Sequence, residues 1–121
     1  MSHRKSQIES TLRRAISKAI TQQLSDPRVV GMVTITRVDV SPDLHEAYVY
    51  VSVLPEKFQR KTVAGLIHAA GHVRSLVRKQ VRMRHVPRFD FRLDETLKKE
   101  AAIFQAIEES SSSMAERQND V

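Results

Sequence analysis

The sequence predicts an α+β fold: a single domain in which three strands form a sheet with helices on one face. Three observations lead there. Apolar residues recur at helical spacing over residues 4–25 and 56–83. The stretch "EAYVYVSV" (46–53) alternates at strand spacing. A chain of 121 residues has room for one real core and not for two.

Each element has its own signal. Ile8, Leu12, Ile16, Ile20 and Leu24 fall every fourth residue, with Ala15 and Ala19 beside them, which is the apolar stripe of an amphipathic helix over 4–25. Ser6 with Glu9 fits a capping box, and Ser2 fits a start one turn earlier. Asp26-Pro27 closes the helix, because a residue before proline avoids the α region. "VVGMVTITRVDV" is rich in β-branched residues and reads as a strand. Val33 and Ile35 share one face while Val38 and Val40 fall in the opposite phase, so a bulge is expected near Thr36-Arg37.

Ser41-Pro42-Asp43 is turn chemistry. The next strand puts Ala47, Val49, Val51 and Val53 on one face and Tyr48, Tyr50 and Ser52 on the other, completing a hairpin. From 56 to 83 a helical pattern (Val63, Leu66, Ile67, Ala70, Val73, Val77, Val81) passes through Gly71 without losing phase. A straight helix of that length would run about 40 Å and overrun a domain about 35 Å across. A bend at Ala69-Ala70-Gly71 resolves this, since glycine is a weak helix former. "VPRFDFRL" is a third strand with Phe89, Phe91 and Leu93 inward. Asp94 caps a short final helix carrying Leu97, Ala101, Phe104 and Ile107 on one face. Residues 1–108 thus form the domain, and 109–121 read as a disordered polar tail.

Composition narrows the function. The net charge of +6 is unevenly placed: +4 over residues 1–28, 0 over 29–68, +6 over 69–92 and −4 over 93–121. Residues 71–92 hold seven of the twenty Lys and Arg and one acid, Asp90. Like charges four apart on a helix, such as Arg74, Arg78 and Arg82, cost roughly 0.2–0.5 kcal/mol per pair, so the stretch is either a solvated face or faces a polyanion. The chain has no Cys, which removes disulfides, thiolate catalysis and the common zinc sites, and fits a reducing compartment such as the cytoplasm. No apolar run nears the roughly 20 residues of a membrane span, and the first ten residues have no signal-peptide core. His68 and His72 are four apart but lack a third metal ligand. Tyr48 and Tyr50 fit ordinary strand propensity better than a base-stacking sheet, because the charge lies elsewhere. The three glycines form no phosphate loop, and no catalytic constellation stands out.

The order of elements and four stretches together resemble the ribosome-binding factor A family. The stretches are "DPRVVGMVTITRVDVSPDLHEAYVYVSVL", the "AAG" at 69–71, "VRSLVRKQVRMRHVPRFDF" and "LDET", and the likeness runs from about residue 4 to residue 107. The resemblance implies a KH-like fold of type II topology, α-β-β-α-(Ala-x-Gly bend)-α-β. In it the bend Ala69-Ala70-Gly71 replaces the G-x-x-G loop with which KH domains usually grip nucleic acid. Family members usually have an acidic residue after the proline, and this chain has Arg88, which makes the strand edge more basic.

What the resemblance implies is a monomeric, non-enzymatic, cytoplasmic assembly factor. It would bind ribosomal RNA of the immature small (30S) subunit near the 5′-terminal helix and decoding region, and assist late maturation, 16S rRNA processing and growth in the cold. It would need no cofactor, membrane or small-molecule substrate. The RNA-contacting residues expected are Arg74, Arg78, Lys79, Arg82 and Arg84, with Arg88 second. Arg4, Lys5, Arg13 and Arg14, with Lys18, either extend that surface or form a solvated helix face. The small residues at 69–71 allow close approach of RNA backbone, and equally close packing at a bend. A general nucleic-acid binder without ribosome specificity, a protein-interaction adaptor and a small enzyme are the rival classes.

Overall fold

A computed structural model describes the backbone of residues 2–119, and the side chains of 4–109 apart from Leu97 and Lys98. Helix α1 (Ser2–Lys18) continues into a wider π turn (Ala19–Gln23). The start at Ser2 places Ser6 inside the helix, so the Ser6–Glu9 capping box does not form. Glu9 serves another element instead: its carboxylate accepts the Val40 N–H at 2.8 Å, securing the end of the first strand. Leu12, Ile16 and Ile20 are buried as their spacing requires. The chain becomes extended at Leu24, two residues before Asp26.

Strands β1 (Met32–Val40) and β2 (Glu46–Leu54) pair antiparallel. The register runs Ile35↔Val51 and then Arg37↔Tyr50, so Thr36 is the extra residue of a bulge where the phase slip placed it. Strand β3 (Arg88–Leu93) pairs parallel with β2, giving the order β1-β2-β3 with β2 central. The parallel pairing requires a crossover, and the two middle helices supply it.

Those helices are α2 (Gln59–His68), entered through a 3₁₀ turn (Glu56–Phe58), and α3 (Ala70–Gln80). The bend falls where expected, but the breaking residue is Ala69 (φ −88°, ψ 3°), and Gly71 lies within the first turn of α3. Gly65 has the tighter packing role: a Cβ there would sit 2.8 Å from Arg28 Cβ, while one at Gly71 would meet nothing within 4 Å. Two details depart from the apolar pattern. Ile67 is 56% exposed, and fully buried Thr62 takes an inward place. The Thr62 hydroxyl donates to the Val30 carbonyl at 2.8 Å and accepts its N–H at 3.3 Å, so the buried polar group is satisfied.

Helix α3 stops three residues earlier than the pattern predicts. Val81 is extended (φ −109°, ψ 144°). Val81 and Met83 still pack on the core, so the apolar phase is satisfied without helix. Seven residues, 81–87, then carry the chain to Arg88 opposite Glu46. Helix α4 (Thr96–Asn119) has 24 residues, longer than the short helix expected, and its backbone continues into the stretch read as a tail. Asp94 does cap it, accepting the Thr96 N–H at 2.9 Å. The apolar face of α4 does not pack inward: Ile103, Phe104 and Ile107 stay 59, 66 and 55% exposed, and Ala101 is exposed too.

The core lies between the helices and one face of the sheet, with Leu12, Ile16, Val49, Val51, Leu66, Val73, Val77 and Phe91 all but fully buried. Each such side chain contributes about 1.5–3 kcal/mol of transfer free energy. On the opposite face the Arg92 and Arg37 guanidiniums lie 4.5 Å and 4.2 Å from the ring centroids of Tyr48 and Tyr50. Among the described residues no helix is long and apolar enough to cross a membrane.

Candidate nucleic-acid interface

The basic stretch 71–92 folds into two surfaces. The first is a groove between the α2–α3 bend and the edge strand β3. Ile67, Ala70, Gly71 and Arg74 form one wall, and Arg88, Phe89, Asp90 and Phe91, with Glu46, form the other. Gly71 is exposed and its missing side chain leaves backbone bare there. Arg88 lies at the mouth, at a register position opposite Glu46 on β2.

Arg74 has a task that spacing alone did not reveal. Its Nε donates to the Val86 carbonyl at 2.9 Å, tying the 81–87 loop to α3. Arg78 and Lys79 sit one turn further along α3 and are exposed. They lie in the helix's last turn, where cations complement the carbonyl end of its dipole.

The second surface is a cleft between the first turns of α1 and the loops 41–45 and 81–87. It is lined by Arg4, Gln7, Asp43, His45, Arg82, Arg84 and His85, with apolar Ile8, Leu44 and Met83 beneath. Arg82 and Arg84 therefore do not continue the row of Arg74 and Arg78. The helix end at Gln80 turns them toward the N-terminus of the chain, where Arg4 joins them. His45 and His85 meet there, Nδ1 to Nε2, at 3.4 Å. Neither histidine stood out in the sequence, because 40 residues separate them. The only cue was that both flank strand starts, and the backbone bears it out: Arg88 N–H donates to the His45 carbonyl at 2.9 Å.

The remaining α1 cations divide. Lys5 reaches Asp39 at 3.4 Å, with both groups about half exposed, a pair of small energetic weight. Arg13 and Arg14 are exposed on α1. His68 ends α2 and His72 belongs to α3, so the Ala69 break separates them and they do not share one helix.

Two carboxylates, Asp94 and Asp43, are favoured in their charged form by hydrogen bonds of the fold. The Thr36 hydroxyl donates to Asp94 Oδ2 at 2.6 Å. With the Thr96 side chain and N–H, that bond lowers the Asp94 carboxyl to about 2. Asp94 thereby joins the β1 bulge to the β3–α4 junction. Ser41 and the His45 N–H hold Asp43 below the usual carboxylate range.

A three-stranded mixed sheet and a crossover of two helices broken at Ala-Ala-Gly define a KH-like α+β domain. The particular family follows from comparison with known proteins. Residues 4–107 match ribosome-binding factor A. Ribosome-binding factor A of Desulfitobacterium hafniense is 43% identical over 106 residues, covering 87% of this chain and 84% of the relative. That of Caldanaerobacter subterraneus is 36% identical over 110 residues, covering 90% of each. Among solved structures, the crystal structure of ribosome-binding factor A from Thermus thermophilus superposes with a TM-score of 0.66 at 31% identity, over 74% of this chain and 93% of that one. A homology model of the Thermus protein fitted into a cryo-EM map of its complex with the 30S subunit gives 0.61 at 31% identity, over 73% and 92%. The chain belongs to the ribosome-binding factor A family.

Proposed function

We propose that this chain is a non-enzymatic assembly factor of the small ribosomal subunit. It binds ribosomal RNA of the immature 30S particle near the 5′-terminal helix and decoding region, and assists late maturation, 16S rRNA processing and growth in the cold. It acts in the cytoplasm and is monomeric when free. The family supports the ribosomal partner, as does the fitted complex of the Thermus relative with the 30S subunit.

The observation that carries the reading is the bare-backbone groove at Gly71 flanked by Arg74 and Arg88, with Arg78 and Lys79 exposed on the adjoining helix. Phosphate contacts by such side chains release counterions and supply most sequence-independent affinity. Arginine also meets phosphate with two parallel hydrogen bonds. The groove would bring a sugar-phosphate backbone against the helix bend, where Arg74 and Arg88 face it beside the acids Glu46 and Asp90, and exposed Arg78 and Lys79 add charge from the adjoining helix. Maturation is assisted by preference: the factor binds the immature RNA conformation more tightly and leaves as the mature one forms. Only a difference in affinity shifts such an equilibrium.

Co-sedimentation tests this with precursor small subunits, mature small subunits and large subunits over a salt series. Wild type runs beside an Arg78→Glu/Arg82→Glu variant. The expected result is selective pelleting with small subunits, strongest with precursors, falling steeply with salt and lost in the variant. Equal pelleting with every particle would reduce the protein to a general polyanion binder. Equal affinity for precursor and mature particles would contradict the release mechanism.

A further inference from the structure

The cleft at the N-terminus of α1 holds a feature that the RNA reading does not explain. Two imidazoles meet edge to face, ring centroids 5.2 Å apart, with His45 Nδ1 and His85 Nε2 separated by 3.4 Å. Three guanidiniums, Arg4, Arg82 and Arg84, line the same cleft against one carboxylate, Asp43. The backbone is strained to build it. Leu44 holds φ 62°, a left-handed conformation that branched and bulky residues avoid. It is braced by its N–H donating to the Ser41 carbonyl at 2.9 Å, and by Asp43 Oδ1 accepting the Ser41 hydroxyl and the His45 N–H. Strain that the surroundings over-determine is a mark of a site. Here its effect is to present His45 to His85.

We propose that this cleft is a phosphate-binding subsite in which His45 and His85 are proton-linked ligands. The ligand chemistry is a phosphate group, as carried by RNA or as a free ion, and the inference rests on the RNA reading for the first of these. The hydrogen bond between the rings needs one of the two facing nitrogens bare. When both rings are protonated, two N–H groups face each other across the gap and the pair is repulsive by itself. A phosphate oxygen placed between them accepts from both, and Arg82, Arg84 and Arg4 neutralise the remaining charge. A protonated ring adds a positive charge as well as a donor, so binding favours proton uptake, and imidazole is the side chain that takes up a proton between pH 5 and 8.

Among the described residues, four charged groups line the cleft beside the two rings. Arg4 comes from α1, Asp43 from the 41–45 loop, and Arg82 and Arg84 from the 81–87 loop. Glu46 and Arg88 line the other groove. The guanidiniums stay charged throughout, and Ser41 and the His45 N–H keep Asp43 ionised. Among the described residues lining the cleft, imidazole is the side-chain type that can gain a proton near neutral pH. Affinity for an RNA phosphodiester, whose single negative charge is constant over this range, rises as the rings take up protons.

The test follows the ring C–H signals of His45 and His85 by NMR from pH 5 to 8.5. It uses the whole chain alone, with inorganic phosphate, with a single-stranded uridine oligonucleotide, and with Zn²⁺. Oligonucleotide affinity is measured over the same range. The expected result is that both ring titrations move to higher pH with phosphate and with RNA. RNA affinity should gain up to roughly tenfold per pH unit for each proton taken up. In His45→Gln/His85→Gln that slope should fall away. Rings that ignore both phosphate and RNA would overturn the inference, as would an unchanged slope in the double variant. A response to Zn²⁺ and not to phosphate would replace it with a cation site. RNA binding without ring response would sink the subsite and leave the RNA reading standing. Ring response to phosphate without RNA binding would support the subsite and sink the RNA reading.

Discussion

The two halves of the basic stretch 71–92 carry the same kind of charge and have different surroundings. Arg74, Arg78 and Lys79 ride on α3 beside the bend. Arg82 and Arg84 lie three and five residues further on in the chain, yet line a cleft with Arg4, His45 and His85. The break between them is the end of α3 at Gln80. A linear charge run thus becomes two basic surfaces, one on a helix and the other built from loops and histidines. On the RNA-binding proposal, a polyanion long enough to touch both would be gripped at two places, which would fix its course across the domain more firmly than one patch.

The largest effect that bears on this division is on binding. Arg78→Glu/Lys79→Glu and Arg82→Glu/Arg84→Glu should each weaken RNA affinity by about 10- to 100-fold at 0.1 M salt, read by fluorescence anisotropy. Because the pairs lie on different surfaces, the combined variant should lose approximately the product of the two factors. A combined loss no larger than either alone would mean that they form one surface after all.

Next in size is a split inside the helical half. Arg74→Ala removes the tie to the Val86 carbonyl and should cost about 1–2 kcal/mol of stability, by urea denaturation. Arg78→Ala should stay within about 0.5 kcal/mol, since an exposed helical arginine carries little of the fold. Equal costs would remove the distinction between a positioning and a contacting arginine.

Smaller still is the acid response of the junction that holds β3 in place. The Asp94 carboxyl is lowered from 3.8 to about 2 by Thr36 first and Thr96 next. A depressed carboxylate stabilises the fold above its unfolded pKa, and that contribution is lost as pH falls from about 4 toward 2. Asp94→Asn should therefore cost on the order of 1 kcal/mol at pH 6 and almost nothing at pH 2. A gap between wild type and variant that persists at pH 2 would contradict the assignment. The smallest effect is expected at Phe104→Ser, within about 0.5 kcal/mol of wild type, because that ring is 66% exposed.

Much of the fold was legible because short-range rules set it. The bulge at Thr36 follows from the phase slip between Ile35 and Val38, and the bend at 69–71 from the length of a helix that had to fit the domain. What escaped was set by distant partners. Val81 is in phase with Val73 and Val77, and periodicity records where apolar groups fall, not where the chain turns. The loop needs all of 81–87 to deliver Arg88 opposite Glu46. Glu9 read as a local cap and instead satisfies Val40, 31 residues away. Thr62 has no apolar character to mark it as buried, and its place depends on Val30. The α4 stripe was legible as one face of a helix, but not the exposure of Ala101, Phe104 and Ile107, since a pattern does not record what covers it. At the site, the arginines and the bend were visible as residue types. The division into two surfaces was not, since it hangs on one helix end and on two histidines 40 residues apart.

The central claim is that both halves of residues 71–92 grip RNA. Backbone amide NMR of the whole chain, titrated with a fragment of small-subunit ribosomal RNA, tests it most directly. The account predicts shifts at Gly71, Arg74, Arg78 and Lys79 and, in the same titration, at Arg82, Arg84 and His45. Shifts confined to Tyr48, Tyr50, Arg37 and Arg92 on the outer sheet face, with the basic stretch silent, would contradict it.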